Sequence, residues 1–255
     1  MSRAAAARPE SSRPSSEKTA FWRFLAGIVI PFLKLVGRYR IVGASRLPQQ
    51  GAFILAPNHI TNIDPLVSAY VLWRAGRVPR FLAKASLFRV PVLGAILRKT
   101  GQIPVERAGA VREGDPISAA SRLVTEGLAL IVYPEGTLTR DPDLWPMRGK
   151  SGAVRLALEH GVPIYPMAIW GAQNILPRYS SRLSLFPRKD VDVLIGKPLD
   201  LSPWKGSPHS ASTYAEASLA LMQSITALLE ELRHAKAPED RWDPSDHGQS
   251  EFGRP

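Results

Sequence analysis

The segment Pro57-Asn58-His59-Ile60-Thr61-Asn62-Ile63-Asp64-Pro65 constrains the fold of this chain more than any other. The apolar run Ala52 to Ala56 before it has the length and composition of a buried strand, and Pro57 ends that strand by lacking a ladder N–H. Asp64-Pro65 then starts a helix. The aspartate caps free N–H groups of the first turn, and proline at the first helical position lacks an N–H that would go unbonded anyway. A short loop pinned at both ends thus carries His59 and Asp64 five positions apart, close enough for their side chains to touch. A histidine with one ring nitrogen held by a carboxylate presents the other as a base. The same spacing also fits a plain cap at Asp64 and a loop histidine bonded to backbone.

Short apolar strands alternate with helical stretches along the rest of the chain. Strands are expected at Tyr39 to Gly43, Arg80 to Ala83, Gln102 to Glu106, Leu128 to Tyr133, Ile164 to Trp170 and Val191 to Gly196. Helices are expected at Pro65 to Arg74, Val92 to Lys99, about Pro116 to Glu126 with Asp115 as cap, Lys150 to His160 ended by Gly161, and about Tyr214 to His234. This alternation implies an α/β fold: a single domain with a mixed central sheet flanked by helices. A length of 255 residues with 45% apolar content suits one core.

Three further blocks follow the His59 segment in order. Gly101-Gln102-Ile103-Pro104-Val105-Glu106-Arg107 joins a glycine turn to a strand ending in arginine. Tyr133-Pro134-Glu135-Gly136-Thr137-Leu138-Thr139-Arg140 is a loop delivered by a buried strand, and Gly161-Val162-Pro163-Ile164-Tyr165-Pro166-Met167-Ala168 is a proline-bearing apolar strand. In this order the blocks resemble the glycerolipid acyltransferase family, of the 1-acylglycerol-3-phosphate O-acyltransferase type. Its pattern is His-x-x-x-x-Asp, Gly-x-Ile-x-Val-x-Arg, Phe-Pro-Glu-Gly-Thr-Arg-Ser and a proline-bearing strand. The resemblance covers roughly residues 40 to 200, including the linking stretch Lys84-Ala85-Ser86-Leu87-Phe88.

The resemblance implies that His59 is the general base and Asp64 its orienting partner, with the acceptor hydroxyl attacking the thioester of acyl-CoA or acyl carrier protein. It implies that Arg107 holds a phosphate, where a guanidinium fork makes paired charge-assisted bonds. Lys84, Glu135, Gly136, Thr137 and Arg140 are the other expected substrate-binding residues. Glu135 also fits a buried structural carboxylate paired with an arginine. No metal or cofactor is expected, and the acyl carrier serves as co-substrate. The chain departs from the family at Leu138, where the third block usually has arginine. Leucine cannot bind phosphate, so Arg140, Arg148 or Lys150 compensates or the acceptor differs. The expected product is phosphatidic acid, made from a lysophospholipid acceptor. Glycerol 3-phosphate, other lysophospholipids or a glycolipid are alternative acceptors, and a thioesterase or a non-catalytic lipid binder are alternative uses of the fold. The chain has no cysteine and no Gly-x-Ser-x-Gly elbow, so an acyl-enzyme lacks its usual signature.

The net charge is +11. Residues 21 to 50 carry Arg23, Lys34, Arg38, Arg40 and Arg46 without an acid, and from Arg74 to Arg112 Glu106 is the only acid. No zinc spacing, aromatic RNA-binding pattern or basic zipper accompanies this charge, which argues against nucleic acid. Phe21 to Val36 is apolar and aromatic but broken by Arg23, Pro31 and Lys34, and too short to cross a bilayer. It reads as one or two helices lying in the interface of an anionic phospholipid membrane, and the same pattern also fits a core-packing helix pair. Residues 1–18 are expected as a disordered leader, 19–38 as the interfacial helical segment, 39–236 as the acyltransferase domain and 237–255 as a disordered tail. The expected location is the cytoplasmic face of the cell membrane, peripheral or monotopic.

Overall fold

Strand β2 (Phe53–Pro57) is buried at every position, and its alternation explains the layering of the molecule. Successive side chains of a strand point to opposite faces, so Phe53 and Leu55 enter one apolar cluster while Ile54 and Ala56 enter another. In this computed structural model residues 17–105, 120–121 and 124–249 are described. Among them, strands β1 (Gly37–Val42), β2, β3 (Arg80–Lys84), β4 (Ile103–Val105), β5 (Ala129–Ile131), β6 (Ile164–Trp170) and β7 (Lys189–Ile195) form one sheet in the order β1-β7-β6-β2-β5-β3-β4. All neighbours are parallel except β6 and β7. The result is a single α/β domain with a mixed sheet, as the alternation of elements implies.

Helices cover both faces. On one, α1 (Ala20–Val36) contributes Leu33 and Val36, and α2 (Asp64–Arg74) contributes Val67, Tyr70 and Val71, against Phe53, Leu55, Ile131 and Met167. On the other, α4 (Gly152–His160) and α5 (Ala211–Arg233) pack Leu156, Leu221 and Ile225 against Ile54, Leu130 and Ile164. Helix α3 (Pro91–Lys99) follows a 3-10 turn, Ala85–Arg89. Gly161 ends α4 at φ 62°, a left-handed conformation that costs glycine nothing. No described helix is long and apolar enough to cross a membrane.

Two boundaries depart from the sequence expectations, at Glu17–Lys18 and at residues 237–249, while the expected helices form where residues are described. The segment from Phe21 is one helix, capped by Thr19 and continuous through Pro31. Glu17 and Lys18, assigned to the leader, are anchored: Glu17 pairs with Arg77 at 3.0 Å and Lys18 donates to the Trp73 carbonyl at 3.1 Å. The expected tail is ordered from 237 to 249. Arg148 N donates to Trp242 O at 3.0 Å, and the Trp242 ring stacks on His247 at 3.5 Å. Of the expected helix Pro116 to Glu126, most lies outside the described residues, while Ala120, Ser121, Val124 and Thr125 are helical.

Topology sets the position of the site. Because β2, β3, β4, β5 and β6 run in one direction, the segments that leave their C-terminal ends emerge along one edge of the sheet. The His59 loop follows β2, Lys84 ends β3, the Glu135 loop follows β5, and residues 171–188 follow β6. Strand β7 is antiparallel to β6 and parallel to β1, so α1 also delivers its C-terminal end to this edge.

Candidate active site

The loop after β2 is shaped by its own polar groups. Asn58 extends the ladder to β6 with its side chain: Nδ2 donates to Ile169 O at 3.1 Å, and Oδ1 accepts from Ile169 N at 2.8 Å. The chain then turns, and the Asp64 carboxylate folds back into the loop. Its Oδ2 accepts from Ile60 N at 2.7 Å, Thr61 N at 2.8 Å and His59 Nδ1 at 3.1 Å. This corrects the expectation that Asp64 caps α2. The cap position is Ile63, and no side chain bonds the first turn.

The consequence is chemical. An oxygen already accepting two backbone N–H groups is an acceptor toward the ring, so in the neutral imidazole Nδ1 carries the hydrogen and Nε2 is the nitrogen with the lone pair. The Asp64 side chain is 1% exposed and that of His59 12%, which leaves the imidazole accessible at its edge while the carboxylate is sealed. The Tyr133 ring lies beside the imidazole, centroids 4.1 Å apart and tilted 30°. Its hydroxyl bonds Ser68 Oγ at 2.9 Å, and burial with the nearby Asp64 charge holds it far above the ordinary tyrosine range, as a neutral phenol.

Glu135 grips the same loop by its backbone. Oε1 accepts His59 N–H at 2.8 Å, Oε2 accepts Met147 N–H at 3.2 Å, and Thr139 N–H closes the grip by donating to His59 O at 2.6 Å. Full burial, opposed by these donors, pushes the Glu135 carboxyl up to about 8. The Thr139 hydroxyl bonds Trp145 O at 2.6 Å, which fixes the loop beyond the glutamate. The Glu135 carboxyl is buried, and its oxygens bond backbone N–H groups of two loops.

Gly136 adopts φ 71°, and a Cβ there would stand 3.2 Å from Lys150 Cδ, so the lysine stem lies across the turn. Lys150 N donates to Pro134 O at 2.7 Å. Thr137, Leu138 and Arg140 are buried, whereas Lys84 is exposed at the end of β3. Arg107 and Glu106 lie outside the described residues. The sheet edge thus gathers His59, Asp64, Lys84, Glu135, Gly136 and Thr137. Sequence reading missed the positioning roles of Asn58, Ser68 and Met147. A polar residue directly after a strand-ending proline was the available signal for Asn58; the others touch the site only through the fold.

A family model described as Acyltransferase matches residues 38–170, just over half of the chain, and spans both loops. This chain belongs to the acyltransferase family. Among curated relatives it is similar to the 1-acyl-sn-glycerol-3-phosphate acyltransferase BAT2 of Brassica napus chloroplasts, 30% identical over 55% of this chain and 40% of that protein. It is also similar to the 1-acyl-sn-glycerol-3-phosphate acyltransferase of Haemophilus influenzae, 27% identical over 80% of each. Across the first relatives it matches, the chain spans about half of their length. The fold is shared with the crystal structure of the 1-acyl-sn-glycerophosphate acyltransferase PlsC from Thermotoga maritima, with a TM-score of 0.62 at 22% identity over 85% of this chain and 83% of that one. Among the described residues no three His, Cys, Asp or Glu groups are placed to hold a metal ion. The candidate site brings together a histidine, two carboxylates and backbone N–H groups.

Proposed function

We propose that this protein is a membrane-associated O-acyltransferase. It moves a fatty acyl chain from the thioester of acyl-CoA or acyl carrier protein to the free hydroxyl of 1-acylglycerol 3-phosphate, making phosphatidic acid. The observation that carries this reading is the bond from His59 Nδ1 to Asp64, in a loop clamped by Glu135, in a chain of this family.

The acceptor hydroxyl gives its proton to His59 Nε2 as its oxygen attacks the thioester carbon. The new C–O bond forms, the C–S bond breaks, and the departing thiolate takes the proton back from the imidazolium. Asp64 keeps the ring in the tautomer this needs and stabilises its transient charge. Arg107 and Lys84 take the acceptor phosphate, joined by the N–H groups of the turn at Gly136 and Thr137. Arg148, Lys150 and Arg241 line a cleft of about 530 Å³ floored by Glu135, and suit the phosphates of the donor. Leu138 supplies no cation to either phosphate. Helix α1 presents Phe24, Ile28 and Leu35 to solvent beside Arg23 and Lys34, a composition that suits an anionic bilayer surface on the cytoplasmic side.

Purified protein given radiolabelled acyl-CoA with and without lysophosphatidic acid tests the reading. Labelled phosphatidic acid that forms only with acceptor, and is lost in His59→Ala, supports it. Acceptor-independent release of fatty acid would make the protein a thioesterase. No turnover with lysophosphatidic acid, glycerol 3-phosphate or other lysophospholipids would make it a lipid-binding relative.

A further inference from the structure

The segment between β6 and β7 carries a feature the catalytic reading does not use. Leu183, Leu185 and Phe186 stand within four positions of one another and are 46%, 40% and 68% exposed. Arg178, Arg182, Arg188 and Lys189 surround them, and no acidic residue occurs from Asn174 through Lys189. Large apolar side chains on a polar loop have nothing to gain in water, and a cationic collar selects against most alternatives to an anionic lipid surface.

The base of this loop is tied down. Ser184 N donates to Ile175 O at 2.8 Å, and Arg178 donates to the carbonyls of Thr139 at 2.8 Å and Asp141 at 2.6 Å. The Thr61 hydroxyl donates to Leu176 O. One end of the loop is thus latched to both catalytic loops. At the other end Arg188 donates to Gly37 O at 2.9 Å, directly after α1. The exposed Leu35 of α1, and Leu87, Val90 and Val92 after β3, come from segments at the same sheet edge. The apolar tip is held by a rigid base at the edge where His59 opens.

We propose that residues Arg182–Arg188 form a second bilayer-inserting element, with Leu183, Leu185 and Phe186 entering the acyl boundary and the exposed Arg182 beside them meeting lipid phosphates. This rests on the membrane reading given above and adds an orientation to it. With α1 alone the domain could roll about the helix axis. A second contact, latched to the catalytic loops, fixes the mouth of the site at headgroup depth, where a lysophospholipid hydroxyl resides. Entry of the acceptor then becomes a lateral step within the leaflet.

The full chain has no cysteine, so Leu185→Cys labelled with an environment-sensitive fluorophore gives a single-site reporter. With vesicles of phosphatidylglycerol and phosphatidylcholine in equal parts its emission is expected to rise and shift to the blue, and far less so with phosphatidylcholine alone. In sedimentation with the same vesicles, Leu185→Asp/Phe186→Asp is expected to bind about tenfold more weakly than the parent or worse. Transfer to a water-soluble short-chain lysophosphatidic acid stays at the parent rate. Phe24→Asp/Ile28→Asp, on α1, is run alongside. A silent fluorophore on protein that binds vesicles, or a loop variant that binds like the parent while the α1 variant does not, overturns the loop proposal and leaves the membrane reading standing. A parent that binds no vesicle overturns both. A parent dimer that the loop variant dissociates would make this face a protein interface and overturn the proposal. Acyl transfer by the parent is read separately and decides the enzymatic reading.

Discussion

Glu135 holds His59 by its backbone rather than by its ring: Oε1 accepts the His59 N–H at 2.8 Å, while the other oxygen accepts Met147 N–H at 3.2 Å. The glutamate of the third block therefore acts on the histidine of the first through the main chain, and sets where the imidazole stands. Glu135→Ala would strand two buried N–H groups, at about 1–3 kcal/mol each, and let the loop drift. Lower thermal stability and a kcat reduced by about tenfold or more are expected. Glu135→Gln keeps an acceptor for His59 N–H but turns its NH2 toward Met147 N–H, so it should recover kcat more fully than stability. Parent-like kcat in the alanine variant would show that the grip does not position the base.

The raised carboxyl of Glu135 gives the protein a pH signature. Burial lifts it from 4.5 to about 8 in the folded protein, whereas an unfolded chain titrates at the lower value. Between those values the folded state holds a proton that the unfolded state has released. Stability from this group is therefore full below 4.5, falls as pH rises toward about 8, and is level above. The charge that forms at high pH faces Asp64, which repels it, and Arg241, which attracts it. Midpoints of thermal unfolding measured across this window should decline for the parent and decline less for Glu135→Gln. Parallel curves would place the proton elsewhere.

His59 and Asp64 are separable by their signatures. His59→Ala is expected to lower kcat by about 10²–10⁴-fold with little effect on KM, because the base acts on the transition state. Asp64→Ala removes the acceptor of Ile60 and Thr61 N–H as well as of the ring, so it should lose stability along with activity. Asp64→Asn retains an acceptor for the backbone, and is expected to fold like the parent while staying well below it in kcat. An active, stable Asp64→Ala protein would remove the orienting role.

The elements that carried their own punctuation were readable from sequence. Strand β6 runs Ile164–Trp170 as expected, preceded by Gly161 at its helix-ending φ. The start of α5 was not, because Ser210 caps it by accepting from Thr213 N and the helix begins at Ala211, three residues before the apolar periodicity at Tyr214. The pairing of His59 with Asp64 was legible from spacing. The direction of the carboxylate was not, because a helix-starting aspartate has two sets of backbone N–H groups within reach and spacing does not choose between them. Residues 237–249 lack apolar periodicity and read as a tail. They are held instead by the stack of Trp242 on His247 and an ion pair of Arg148 with Asp243 at 3.0 Å, contacts invisible to local pattern.

Tyr133 stands where the family pattern has phenylalanine, and its hydroxyl has a specific partner in Ser68 at 2.9 Å. Tyr133→Phe leaves the ring against His59 and costs about 1 kcal/mol for the lost hydrogen bond, with kcat near the parent value. Tyr133→Ala removes the wall of the imidazole and opens a cavity, at about 3–5 kcal/mol, and should cost activity as well. Equal kcat in the two variants would mean that the ring does not position His59.

Gly136 tests the turn that follows Glu135. Alanine there would adopt φ 71°, costing about 1–2 kcal/mol for a residue with a Cβ. The new methyl would also press on the Lys150 stem from 3.2 Å. The two costs are separable. Lys150→Ala removes the stem but not the backbone strain, because the Lys150 N–H to Pro134 O bond is made by the main chain. The double variant should therefore recover only part of the stability lost by Gly136→Ala. Thermal unfolding of the two single variants and the double decides it. Full recovery would assign the whole cost to the lysine contact and leave the left-handed turn without a role.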